Sequence, residues 1–120
     1  MRGFLGAVLT CIVMAGAAVA QEVADAPGGD LRVLDKLTGV VTDMALRRGE
    51  TGRLGYLRVT LNACRYPADN PSGDAFAEID VYYQANPDPA FSGWMLASAP
   101  ALHAMDHPRY DVWVLRCMTS

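Results

Sequence analysis

Positive charge is scarce in this sequence and is nowhere concentrated. The chain has 10 Lys and Arg residues against 13 Asp and Glu residues, a formal net charge of −3, and Lys36 is its single lysine. Proteins that bind nucleic acid neutralise the phosphates with clustered Lys and Arg side chains. We therefore expect no nucleic-acid partner, and anionic lipid surfaces are disfavoured for the same reason.

The sequence also lacks an apolar run of the roughly 20 residues that a membrane-spanning helix requires. Its longest apolar stretch, residues 4–17, follows Arg2 and precedes the triplet AVA, the small-x-small pattern after which signal peptidase cuts. The sequence predicts a signal peptide over residues 1–20, cleaved between Ala20 and Gln21. The mature protein is then expected in the periplasm without a membrane anchor. A retained transmembrane segment is the alternative.

Cysteine is rare as well, with three in the chain. Cys11 lies in the expected signal peptide, so Cys64 and Cys117 remain as a pair in an oxidising compartment. We predict a disulfide between them, and two free thiols are the alternative.

A nucleophile elbow of the Gly-x-Ser-x-Gly type is absent, since Ser92 lies in the sequence AFSGW. A Ser-His-Asp set can be assembled from Ser92 or Ser98 with His107 and Asp111. A chain of this length offers such triples by chance, so we predict no catalytic residue. A small enzyme that uses the His107 and Asp111 region is the alternative.

Two further pairs of polar residues have spacings that metal or catalytic sites use, but neither pair requires such a site. His103 and His107 are four residues apart on a predicted helix, a spacing that zinc sites use, but no third ligand accompanies them. Glu78 and Asp80 lie two apart on one face of a predicted strand, where solvated carboxylates are ordinary. We expect neither a metal nor a cofactor.

The remaining chain divides into a short leader and one domain. Residues 21–30, QEVADAPGGD, are acidic and rich in Gly and Pro, and they predict a disordered leader. Residues 31–120 are enough for a single β domain. Apolar residues alternate with polar ones in GYLRVTLNAC, AFAEIDVYYQ and YDVWVLRC, and Thr38-Gly39 predicts a hairpin turn.

Six or seven short strands and one short helix account for this domain. The sequence therefore predicts a mainly β fold, a small antiparallel β-sandwich or barrel. The helix is expected over residues 99–107, with Ser98 as its N-cap and Pro100 in its first turn. Strict alternation places Cys64 on the face of its strand opposite to the core residue Leu61.

Aromatic side chains can line a surface for a protein partner or a sugar, or fill the core of a small domain. In FSGWMLASAP, Gly93 is expected to bend the strand that carries Trp94. The candidate contact surface comprises Phe91, Trp94, His107, Tyr110, Asp111 and Trp113.

Two long stretches resemble a known family. FSGWMLASAPALHAMDHPRYDVWVLRC and LDKLTGVVTDMALRRGETGRLGYLRVTLNACRYP are similar to the small, mostly alphaproteobacterial envelope proteins grouped as domain of unknown function 2155. The resemblance covers about residues 31–117, and His103 departs from the family pattern. It implies an envelope location and an accessory role beside an envelope assembly, with a respiratory membrane complex as the specific example.

Together these observations predict a secreted, disulfide-closed, non-catalytic β domain that binds an envelope protein partner. A small enzyme, or a binder of carbohydrate or another small ligand in the region of Trp94, His107 and Asp111, is the alternative.

Overall fold

The computed structural model describes residues 22–119. Eight strands and one 3-10 helix, η1, are formed in this part of the chain. In chain order they are β1 (Val23–Asp25), β2 (Gly28–Asp35), β3 (Val41–Arg47), β4 (Thr51–Leu54), β5 (Leu57–Pro67), β6 (Phe76–Tyr83), β7 (Phe91–Leu96), η1 (Pro100–His103) and β8 (Tyr110–Cys117). The expected cleavage site and signal peptide lie outside the described residues.

The strands form two antiparallel sheets that pack face to face. The larger sheet has the order β1-β5-β6-β7, with β4 also paired to β5, and the smaller sheet has the order β3-β2-β8. The predicted mainly β sandwich is confirmed, with eight described strands instead of six or seven, and it is not a closed barrel.

The core lies between the sheets and is built from alternate residues of each strand. Every strand residue that points inward at the centre of the sandwich is apolar, and no polar or charged side chain is buried among the described residues. Full burial of one such aliphatic side chain contributes about 2 kcal/mol. The fully enclosed aliphatic residues are Leu31, Val33, Leu57, Val59, Leu61, Ile79, Val81 and Val114.

A disulfide joins β5 of one sheet to β8 of the other through Cys64 and Cys117, which confirms the predicted pair. Both cysteines are buried, so the prediction that Cys64 faces away from Leu61 was wrong. The reason is a β-bulge: the β5–β6 register shifts between Leu61 and Ala63. The inserted residue exchanges the two faces of the strand beyond it, and Cys64 turns inward.

The end of β8 reaches the core in the same way. The β2–β8 register shifts between Asp30 and Leu31. Asp30 pairs with Arg116 and Leu31 pairs with Val114, so β8 carries one extra residue at this point. Cys117 is therefore buried with Val114, although strict alternation would place it on the opposite face.

The disordered leader was predicted over residues 21–30, and the part of it that the structure describes, residues 22–30, is instead ordered by strand pairing. β1 pairs with the end of β5, and the Nε of Arg65 lies 2.9 Å from an Asp25 carboxylate oxygen. Gly28 and Gly29 are buried at the start of β2. A Cβ on Gly29 would lie 2.9 Å from the Sγ of Cys64, so this glycine permits close packing on the disulfide.

The predicted helix over residues 99–107 is reduced to η1, and Ser98 does not cap it. Pro100 does lie in the first turn, as expected. The Ser98 hydroxyl instead donates to Asp74 Oδ2 at 2.7 Å, and Asp74 Oδ1 accepts the amide of Ala75 at 2.8 Å. Ser98 therefore fixes the loop before β6 instead of starting a helix.

Candidate binding surface at the aromatic end

Four rings meet at one end of the sandwich, beside the β4–β5 turn and the start of β8. Tyr83 lies centrally, with ring centroids 6.3 Å from Tyr56, 4.6 Å from His107 and 6.0 Å from Tyr110. The Arg109 guanidinium lies over the rings of Tyr56 and Tyr110, at 5.5 and 5.3 Å from their centroids. Such stacking attracts the cation to the ring faces. We call these five residues the aromatic end.

An ion pair connects the aromatic end to the β2–β3 hairpin. Arg109 donates to Asp35 Oδ2 at 3.3 Å, and Asp35 Oδ1 accepts the amides of Leu37 and Thr38 at 3.0 and 3.4 Å. Burial by itself raises the pKa of Asp35, but the hydrogen bonds from Arg109 and the two amides outweigh it and lower this pKa. The same hydrogen bond to Asp35 raises the pKa of Arg109.

The hairpin held by Asp35 presents two apolar side chains to solvent. Leu37 is 76% exposed and Val40 is 57% exposed. The turn between them is closed by Asp35, whose carbonyl accepts the Gly39 amide at 2.7 Å and whose amide donates to the Val40 carbonyl at 2.9 Å. Gly39 has a φ of 77°, a conformation that favours glycine. We call Leu37 and Val40 the hairpin tip.

Lys36 fixes the hairpin tip to the aromatic end. Its Nζ donates to the His107 carbonyl at 2.8 Å, and its amide donates to the Arg109 carbonyl at 2.7 Å. The same Nζ lies 3.8 Å from Asp111 Oδ1. The hairpin tip is therefore held in place by hydrogen bonds across its own turn and by those of Lys36 to the segment before β8.

The ionised Asp35 stabilises this arrangement, which predicts a pH dependence. A carboxyl group whose pKa is lowered by folding adds stability above its ordinary pKa of about 3.9, and that stability is lost as the pH falls below this value. We expect the Asp35→Asn variant to be less stable than the native protein at pH 7. The difference between their free energies of unfolding should shrink by pH 3.

Urea unfolding at pH 7, 5 and 3 measures this difference, with the exposed Asp88→Asn variant as the control. A gap between Asp35→Asn and the native protein that stays constant across this range would show that the Asp35 charge contributes nothing.

His107 at the aromatic end hydrogen-bonds to the backbone through its ring. Its Nδ1 accepts the backbone amides of Arg109 at 3.1 Å and Tyr110 at 3.2 Å. Through these two hydrogen bonds the His107 ring holds the backbone at the start of β8. Ser98 is bonded to Asp74, so the triad of Ser98, His107 and Asp111 is not assembled.

Of the carboxylate pair Glu78 and Asp80 considered from the sequence, Asp80 has hydrogen-bond partners. Asp80 accepts the Ser92 hydroxyl at 2.5 Å and the Asn62 amide at 2.9 Å. These two bonds, that from Ser92 first, lower the pKa of Asp80 against the effect of burial. The Ser92 hydroxyl therefore donates to a carboxylate that no histidine among residues 22–119 contacts.

The two histidines face different neighbours. The Nδ1 of His103 lies 2.7 Å from the Trp94 carbonyl oxygen, and its ring centroid is 4.8 Å from that of Phe91. Gly93 has a φ of 147°, and a Cβ there would lie 2.6 Å from the His103 ring. The β6–β7 register runs through Gly93 without a shift, so the bend expected there is not seen, and the glycine instead makes room for the His103 ring.

No group of three potential metal ligands is formed by the described residues. Over the same residues, no helix has the length and apolar character that crossing a bilayer requires.

The structure does not bring the predicted contact residues together on one surface. Phe91 and Tyr110 are buried in the core. Trp94 lies on the outer face of the larger sheet, in a shallow cleft of about 210 Å³, with Arg65 over its ring. Trp113 lies on the outer face of the smaller sheet, where it pairs with Arg32. Alternation along each strand cannot show that these two faces are on opposite sides of a sandwich.

His107 and Tyr110 belong to the aromatic end, and Asp111 adjoins it through Lys36. Sequence reasoning missed the hairpin tip, which it interpreted only as a turn between two strands. The available signal was a pair of large apolar residues, Leu37 and Val40, directly flanking Thr38-Gly39, where polar residues are usual.

Comparison with known proteins adds one family and one relative. No solved structure matches this chain significantly. An uncharacterized protein of Rickettsia prowazekii (strain Madrid E) is 27% identical over 92 residues, which are 74% of this chain and 59% of that protein. The chain thus spans less than two thirds of this relative's length. A family model described as "Uncharacterized protein conserved in bacteria (DUF2155)" matches residues 29–117. The chain therefore belongs to the DUF2155 family of bacterial proteins.

Proposed function

We propose that this protein is a non-catalytic binding domain of the bacterial envelope, and that it contacts a protein partner through the hairpin tip and the aromatic end. The observation that carries the proposal is the hairpin tip itself. A small domain that buries apolar side chains throughout its core leaves Leu37 76% exposed on a fixed turn. Exposed apolar residues on a rigid projection are typical of interaction sites.

The surroundings of the tip suit a protein interface. Tyr56 is 56% exposed beside Arg109, and Tyr and Arg are enriched where protein partners bind. Lys36 and Arg109 are already paired with Asp111 and Asp35, so little unpaired charge would have to be desolvated on binding.

The proposed location is the periplasm, reached through cleavage between Ala20 and Gln21. The buried disulfide supports it, because such bonds persist in oxidising compartments. β1 begins at Val23, so cleavage there would leave every described strand in the mature chain. The intact mass of the protein recovered from a periplasmic fraction tests this step, and retention of residues 1–20 would contradict it.

The proposed partner is a membrane assembly exposed to the periplasm, and a respiratory complex is the specific case that the family resemblance implies. Tagged mature protein is expected to recover one such assembly from gently solubilised membranes. A Leu37→Ser/Val40→Ser variant should lose at least about tenfold in recovery, since full burial of a Leu or Val side chain contributes about 1.5–3 kcal/mol.

The matched control is Leu102→Ser, because Leu102 on η1 is 74% exposed and lies outside the surface proposed here. Thermal melting of all variants shows that each is folded. Equal recovery by the Leu37→Ser/Val40→Ser variant and the control would contradict the proposed surface. A catalytic role would instead predict no stable partner for any variant.

A further inference from the structure

Among residues 22–119, one sheet edge is open over most of its length. β3 is the outermost strand of the order β3-β2-β8 and pairs only with β2. The other long edges are flanked. His103 contacts the β7 edge at the Trp94 carbonyl, and residues 71–74, 97–98, 100–101 and 104–105 line cavities beside β8. The edge strands β1 and β4 have only three and four residues. β3, with seven residues, is thus the longest unflanked edge in residues 22–119.

Hydrogen bonds at the two ends of β3 show which of its amides and carbonyls face β2 and which face the open edge. The carbonyl of Val40 accepts the Asp35 amide, and the amide of Arg48 donates to the Pro27 carbonyl, so even-numbered residues face β2. Backbone groups alternate in an antiparallel strand, and the odd-numbered residues therefore point to the open edge. Glu50 satisfies both groups of Arg47, through its amide at 2.9 Å and its Oε1 at 3.3 Å.

Within residues 22–119, three residues of β3 thus keep amides and carbonyls without a hydrogen-bond partner at the edge: Val41, Asp43 and Ala45. A strand paired opposite Asp43 and Ala45 would satisfy the backbone groups of these two residues, and exposed edges of this kind attract further strands for that reason. Val41 lies on the outward face of β3, where its apolar side chain is 52% exposed.

The charged side chains of β3 indicate which kind of strand can pair with its open edge. Asp43 is held by Arg32, whose Nε and Nη2 lie 2.8 and 3.0 Å from its two oxygens. Arg47 is exposed and has no acidic partner within salt-bridge distance among residues 22–119. With Met44 opposite its own copy, an antiparallel second β3 places its Arg47 diagonally across from Asp43. The two Asp43 side chains also lie diagonally across from each other, and each is neutralised by the Arg32 of its own chain.

We propose that β3 pairs antiparallel with β3 of a second copy of this chain, around a twofold axis at Met44. Asp43 of one copy then exchanges two backbone hydrogen bonds with Ala45 of the other, and symmetry repeats the exchange. Val41 lies opposite the aliphatic stem of the second copy's Arg47. The two smaller sheets become one six-stranded sheet, and the half-buried Met44 meets its own copy on the inner face.

The register is tested by disulfide cross-linking of the purified protein with its native bridge intact. Residues that face each other in a non-hydrogen-bonded antiparallel pair have Cα atoms about 4.5 Å apart, which a disulfide spans. Met44→Cys is therefore expected to give a covalent dimer on mild oxidation. Thr42→Cys is the matched control on the same strand and face, and its two copies would lie too far apart to react.

Sedimentation equilibrium of the native protein is expected to show a concentration-dependent dimer. Ala45→Pro should be monomeric yet folded, because its lost amide faces the open edge and proline is tolerated there. Arg47→Asp should weaken the dimer by at least tenfold. A native protein that stays monomeric would overturn the proposal, and so would equal cross-linking of Thr42→Cys. The monomeric result would also be found if β3 instead received a strand from a different protein.

Discussion

Replacing both bonded cysteines, in a Cys64→Ala/Cys117→Ala variant, is expected to lower the free energy of unfolding by about 4 kcal/mol. The bridge joins residues 53 positions apart in sequence and ties β5 of one sheet to β8 of the other. Without it, the unfolded chain gains the freedom of an open loop of that length. A typical domain of this size is stable by only about 5–10 kcal/mol, so most of that margin would be lost.

Urea unfolding monitored by tryptophan fluorescence measures this change. The native sequence under reducing conditions is the matched control, since it loses the bond but keeps both sulfur atoms in the core. Its loss should approach that of the variant. A decrease of less than 1 kcal/mol in both samples would show that the bridge does not determine stability.

Gly28→Ala is expected to destabilise the fold by about 2–3 kcal/mol, the cost of overpacking at a site that cannot relax. A Cβ at this position would collide with the carbonyl oxygen of Leu46 and lie 2.8 Å from the Cα of Arg47. Both are backbone atoms of β3, so the two strands would have to separate where the sheet begins.

Gly49→Ala provides the comparison, because a Cβ there meets no atom within 4 Å and only its φ of 86° is unfavourable. That conformation costs about 1–2 kcal/mol for a residue with a side chain. The same urea unfolding measurement applies to both variants. If Gly28→Ala proved as stable as the native protein, the close β2–β3 contact would be incorrect.

The sequence predicts the sandwich because apolar residues alternate clearly along its longest strands. Leu57, Val59 and Leu61 are buried as that pattern predicts. The pattern fails at Cys64, since a bulge adds one residue without leaving a mark in composition. The disulfide was predicted correctly only because pairing cysteines does not depend on assigning faces.

The leader shows a second limit of sequence reasoning. Gly28 and Gly29 are typical of flexible segments, but here each is buried where a neighbouring strand approaches closely. Glycine serves both purposes, and only the tertiary structure distinguishes them. Grouping Trp94 with Trp113 failed for a related reason, because the faces they occupy belong to different sheets.

The central claim is that the hairpin tip contacts a partner in the envelope, and in-cell photocross-linking tests it most directly. A photoreactive amino acid placed at Leu37 is expected to capture one protein of a periplasm-exposed membrane assembly. The same group at Leu102, which is equally exposed at 74%, should give no specific product. Capture at position 102 alone, or no specific adduct at position 37, would contradict the account.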